Sequence, residues 1–134
     1  MNVVDSSGWL EYLGRGENAN AFEEPLHQVR QLLVPTIVVT EVRRRLLQQG
    51  ADRHLVDQAI GGMRQARIVP LDFDLAVNAA TIGTALKLPL ADSIILATAR
   101  SFGAILWTQD ADFEGLEGVR YYAAKAKKKN KTGD

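Results

Sequence analysis

Short apolar runs alternating with longer amphipathic stretches constrain the fold of this chain more than any other feature. Asn2-Val3-Val4, Leu32 to Pro35, Ile68-Val69 and Ala104 to Trp107 read as strands, with Val119-Arg120-Tyr121-Tyr122 as a fifth. The capping side chains Asp5-Ser6-Ser7 open a helix through Trp9, Leu10, Tyr12 and Leu13, which Gly14 and Gly16 close. A second helix is expected from Ala19 to Leu32, with Phe22, Leu26, Val29 and Leu33 at helical spacing. Thr36 is expected to cap a third, with Val38, Val42 and Leu46 inward and Gly50 as its C′ glycine. Ala51 to Gln65 (Leu55, Ala59, Ile60 and Met63 inward) and Asp72 to Leu86 (Leu75, Ala79, Ile82 and Leu86 along one face) follow. A last helix starts at Pro89, carries Ile94, Ile95, Ala97 and Ala99, and ends at Gly103. Strands alternating with helices predict an α/β fold with a central parallel sheet of four to five strands, covered on both faces.

At 134 residues, 46% hydrophobic and 24% charged, the chain reads as one globular domain over residues 1–124. The absence of cysteine excludes disulfides, thiolate metal sites and cysteine nucleophiles. Two histidines, His27 and His54, without ligand-like spacing make zinc a poor candidate, and both are expected at the surface. No apolar run approaches the roughly 20 residues of a membrane span, and a strand-like run at the N-terminus leaves no room for a signal peptide. The expected location is the cytoplasm. Five of the sixteen basic residues and one of the sixteen acidic ones lie in residues 125–134, leaving 11 basic against 15 acidic in residues 1–124, a charge of −4. That lysine-rich tail is expected to be disordered, either as a solubilising end or as a loose attractor of polyanions such as RNA.

Four acids, Asp5, Glu41, Asp92 and Asp110, fall where apolar runs give way to polar sequence. Sites in parallel sheets form outside the carboxyl ends of the strands, which is where Asp5 and Asp110 are expected. Glu41 and Asp92 lie early in their helices, so all four can converge. Clustered carboxylates repel one another unless a cation sits between them, which makes a divalent-metal site the leading reading. Each acid also has a plainer role open to it: Asp5 and Asp110 as helix caps, Asp92 as an answer to a helix dipole, Glu41 as one charge among many on a solvated face. Asp112 either assists a metal or caps the turn before Phe113. Arg43, Arg44 and Arg45 either contact phosphate or simply face water. Trp9, Tyr12 and Trp107 fit a core or a dimer interface.

The stretches Asp5-Ser6-Ser7-Gly8-Trp9-Leu10-Glu11-Tyr12, Val34-Pro35-Thr36 with Thr40-Glu41-Val42, Leu90 to Ala99, and Gly103 to Phe113 resemble the PIN-domain family. The likeness is closest to the VapC-type toxins of bacterial toxin–antitoxin pairs. It covers residues 2 to about 122, with 36, 51 and 18 residues between successive acids. The resemblance implies a PIN-like three-layer α/β/α fold and a ribonuclease dependent on Mg²⁺ or Mn²⁺ that hydrolyses RNA phosphodiester bonds with a metal-activated water. It implies catalytic roles for Asp5, Glu41, Asp92 and Asp110, metal coordination by Asp5, Asp92 and Asp110, and supporting hydroxyls on Ser7 and Thr108. A cognate VapB-like antitoxin and a homodimer are implied as partners. A housekeeping RNA-processing nuclease of the same family is the nearest alternative. A receiver-like signalling domain would need paired acids after the first strand and a lysine after a late one, where this chain has Ser6-Ser7 and Thr108-Gln109-Asp110. A non-catalytic interaction domain would have no use for four intact acids.

Overall fold

The strands of the computed structural model, which describes residues 1–125, are β1 (Asn2–Val4), β2 (Leu32–Pro35), β3 (Arg67–Val69), β4 (Ile105–Thr108) and β5 (Val119–Tyr121). They form one sheet in the order β3-β2-β1-β4-β5, with every neighbouring pair parallel. In the centre, Val3 lies opposite Leu33 on one side and Leu106 on the other. All residues of β1 and β2 are buried, as continuous apolar runs must be when both faces of a sheet are covered.

Six helices flank the sheet: α1 (Ser6–Leu13), α2 (Ala19–His27), α3 (Thr36–Gln48), α4 (Arg53–Arg64), α5 (Phe73–Leu86) and α6 (Leu90–Ser101). The result is a three-layer α/β/α arrangement around one core, in which Phe22, Leu33, Val34, Leu106 and Phe113 are fully buried. Trp9 and Trp107 belong to that core, while His27 and His54 are exposed. Among the described residues no single helix is long and apolar enough to cross a membrane. The lysine-rich tail, apart from Lys125, lies outside the described residues.

The order in which strands are added reverses at the middle of the sheet. Strands β1, β2 and β3 step one way, and β4 then enters on the far side of β1. Such a switch point leaves a crevice at the carboxyl ends of the two strands beside it. Asp5 follows β1 and Asp110 follows β4, so the crevice receives both.

Several local expectations are corrected. Helix α2 stops at His27 instead of running to Leu32, and Val29–Gln31 forms a 3-10 turn. Leu32 and Leu33 are committed to pairing with Asn2 and Val3, and that pairing overrides the helical periodicity. Thr36 is the first residue of α3 rather than its cap. The cap position belongs to Pro35, whose extended backbone turns the chain from β2 into the helix. In α4, Leu55 is 42% exposed and Val56 is buried in its place. The helix begins only at Arg53, and Val56, Ala59 and Met63 form the inward stripe at i, i+3 and i+7, one position off Leu55.

Candidate metal centre

The pocket is built outward from Asp5, which is only 3% exposed and sits at the N-cap of α1. Its Oδ1 accepts from the Gly8 backbone N–H at 2.9 Å and from Ser7 Oγ at 2.7 Å. Its Oδ2 accepts from Thr108 Oγ1 at 2.6 Å. The residue that caps α1 is thus also part of the candidate pocket's wall. Thr108 is fully buried at the end of β4, and its hydroxyl oxygen also accepts from the Asp110 backbone N–H at 2.9 Å. Ser7 Oγ accepts in turn from the Gln109 N–H at 3.2 Å. The loop after β4 is therefore pinned to the loop after β1 through two hydroxyls.

That loop turns at once into a 3-10 helix over Ala111–Phe113, anchored by the buried ring of Phe113. Asp110 caps it by accepting from the Asp112 N–H at 2.9 Å. The turn carries the Asp112 side chain back toward Asp110, and Asp92, in the first turn of α6, completes the group. One carboxylate oxygen from each of Asp92, Asp110 and Asp112 lies within 4.8 Å of the others. Glu41, half-buried on α3, accepts a short hydrogen bond from Ser6 Oγ. Asp5, Glu41, Asp92 and Asp110 line a single cavity of about 450 Å³, together with Ser6, Ser7, Leu10, Arg44, Arg45 and Gln48.

The electrostatics match that crowding. Burial pushes the Asp92 carboxyl up to about 7, and the negative charges of Asp110, Asp5, Asp112 and Glu41 push in the same direction. Burial likewise raises Asp5 to about 6, although the Thr108, Ser7 and Gly8 hydrogen bonds oppose it and Asp110 adds a further rise. Burial and mutual repulsion thus both favour the protonated carboxyls, a cost that a cation bound among them would relieve. Every donor in it is a hard oxygen, which suits Mg²⁺ or Mn²⁺ and not zinc.

The sequence matches the PIN domain family over residues 3–119. The chain belongs to the PIN-domain family. The PIN fold also appears in the solved structures it resembles. One is a toxin–antitoxin complex from Klebsiella pneumoniae, 24% identical, covering 92% of this chain and 100% of that one at a TM-score of 0.76. Another is the DNA-bound VapBC of Salmonella typhimurium, 16% identical, covering 91% and 96% at 0.71. A third is VapC20 of Mycobacterium tuberculosis, a toxin that cleaves the sarcin–ricin loop, 20% identical, covering 90% and 99% at 0.69. No curated protein is matched by the sequence. The sheet order of this PIN domain also differs from the 2-1-3-4-5 arrangement of the receiver-type α/β fold, so the signalling alternative is set aside.

Within the PIN domain, the four acids singled out by strand ends meet in one pocket. The tight oxygen group, however, pairs Asp92 and Asp110 with Asp112, while both Asp5 oxygens are engaged by hydroxyl and amide donors. Ser7 and Thr108 act on Asp5 directly. Arg44 and Arg45 reach the cavity, and Arg43 is not among its lining residues. Ser6, Leu10 and Gln48 were not legible as site residues. Ser6 looked like a capping residue alone, and its partner Glu41 lies 35 positions away.

Proposed function

We propose that this chain is a divalent-metal-dependent endoribonuclease of the VapC toxin type, neutralised by a cognate antitoxin. The observation that carries the reading is the convergence of oxygens from Asp92, Asp110 and Asp112 beside a PIN-domain cavity that Asp92 and Asp110 line together with Asp5 and Glu41. Asp92, Asp110 and Asp112 would hold a Mg²⁺ or Mn²⁺ ion, with Asp5 contributing through Oδ2, which accepts one hydrogen bond and keeps free lone pairs. A bound ion of this kind neutralises phosphate charge and lowers the pKa of water.

The remaining roles fall to the chain itself. Thr108, Ser7 and the Gly8 N–H hold the Asp5 carboxylate in one orientation, so its charge faces the pocket without a further ordering cost. Ser6 does the same for Glu41, which in this reading would accept a proton from an attacking water. The exposed guanidinium groups of Arg44 and Arg45 offset the acidic field that an approaching RNA would meet.

Partner binding has its own support. A groove of about 720 Å³, with Leu10, Leu13, Leu46, Ala51 and Leu55 as its apolar lining and Glu11, Glu17, Gln49 and Lys125 as its polar lining, adjoins the acidic cavity and shares Leu10 with it. An amphipathic antitoxin segment laid in that groove would end at the carboxylates. Phe73 (81% exposed) and Val77 (55%) stand one turn apart on α5 and offer an apolar face for a homodimer. That several similar structures are toxin–antitoxin assemblies supports the toxin role over a housekeeping one.

The test is cleavage of RNA by the purified chain with Mg²⁺ or Mn²⁺, and none with a chelator. Asp92→Asn should lower the rate by at least about 100-fold while the fold is kept, which circular dichroism checks. A folded protein that leaves RNA intact with either ion, or an Asp92→Asn variant that cuts at the parent rate, would overturn the nuclease. Growth arrest on induction, relieved by the antitoxin, separates a toxin from an RNA-processing enzyme.

A further inference from the structure

Helix α3 presents a short polar stripe to the acidic cavity. Glu41, Arg44, Arg45 and Gln48 all line it, spaced as one face of two helical turns. Arg43 lies off this stripe and does not line the acidic cavity; it borders an adjoining concavity with Val39, Thr40 and Leu47, which Arg44 and Gln48 also border. All three arginines are exposed. At three and four residues beyond Glu41, Arg44 and Arg45 have the spacing at which an acid and a base on one helix pair. They do not pair with it. Glu41 is engaged by Ser6, and the ion pair found among the described residues is Lys125 with Glu17. Two guanidinium groups thus share the cavity with the four carboxylates of Asp5, Glu41, Asp92 and Asp110, without an ionic partner among the described residues.

An ion held by the carboxylates compensates one phosphate, the one being cut. The phosphates next to it would still meet Asp5, Glu41, Asp92, Asp110 and Asp112, and each needs a positive partner of its own. Arginine suits this task, because its planar fork binds phosphate oxygens in pairs and stays charged. We infer that Arg44 and Arg45, and not Arg43, are positioning residues that take the phosphates flanking the scissile bond of a single RNA strand. They would lead that strand along α3 past Gln48. This rests on the ribonuclease reading above and deepens it, since it says where the strand lies.

The experiment measures binding of a short single-stranded RNA against salt concentration, in the full chain carrying Asp92→Asn so that the probe stays intact. Arg44→Ala and Arg45→Ala are each expected to weaken binding and to reduce the slope of log K against log salt by about 0.7. Arg43→Ala should keep the slope of the parent. Arg44→Lys should keep the slope yet bind less tightly, which a merely structural role would not produce. Equal slopes in all three alanine variants would overturn the inference while leaving the nuclease standing. A parent that binds no RNA even at low salt, with the fold intact, would remove the ribonuclease reading itself.

Discussion

At the scale of single residues, Thr108 ties the loop after β4 to the acid that follows β1. One buried hydroxyl donates to Asp5 and accepts from the Asp110 backbone. Thr108→Val keeps the shape and removes both bonds. It should cost about 1–3 kcal/mol in denaturant unfolding and raise the Asp5 carboxyl further, because the lost bond favours the charged form. An unchanged unfolding midpoint would contradict this. The raised carboxyls also fix a pH dependence. In the unfolded chain Asp5 and Asp92 titrate near 3.8, and in the native fold near 6 and 7. Between those values the native state binds more protons, so stability falls as pH rises through the window, and the penalty is complete above about 7. In chelator, the melting temperature at about pH 8 should lie below that at about pH 5, and added Mn²⁺ should restore it. A melting temperature that rises over the same interval would refute the assignment. Asp5 and Asp110 stood out because each follows an apolar strand, and Glu41 and Asp92 because each lies early in a helix. Asp112 reads from the sequence only as a metal-assisting or turn-capping residue beside Asp110, and its approach to Asp92 was not legible, because it depends on how the 3-10 turn packs against α6.

At the scale of elements, the seam between α5 and α6 sets the position of Asp92. Gly83 of α5 lies against Ser93 of α6, where a Cβ added to the glycine would stand 2.1 Å from the serine Oγ. Ser93 is buried and its hydroxyl donates to the Pro89 carbonyl at 2.9 Å, so it has nowhere to retreat. Gly83→Ala should therefore destabilise the fold by about 1–3 kcal/mol, despite the helix propensity gained, and weaken Mn²⁺ binding through the neighbouring Asp92. Gly61→Ala in α4 is the contrast. Nothing stands within 4 Å of its added Cβ, and it should stabilise by about 0.5–1 kcal/mol. Thermal melts of the two variants that moved the same way would show that packing does not decide the outcome. Element identity was readable wherever a stripe of apolar residues kept its period, as in α3 with Val38, Val42 and Leu46. It failed at the end of α2, where pairing of Leu32 and Leu33 with β1 outweighs local preference, and at Leu55, whose phase depends on where α4 begins.

At the scale of the whole molecule, a parallel sheet was foreseeable from alternation, but its strand order was not. Nothing in Ile105 to Thr108 indicates that this strand joins β1 rather than β3. The order places the first strand of the chain in the middle of the sheet, with one neighbour some 30 residues later and the other some 100 later. A fragment ending at Gly103 lacks β4, β5, Thr108, Asp110 and Phe113, and should show no cooperative melt and no Mn²⁺ binding. A cooperative melt from that fragment would show that the early strands fold alone. The same arrangement has a consequence during synthesis. Asp5 must wait for a hydroxyl that is translated 103 positions after it. A nascent polypeptide is therefore expected to hold no assembled pocket until Thr108 has been translated and has left the ribosome.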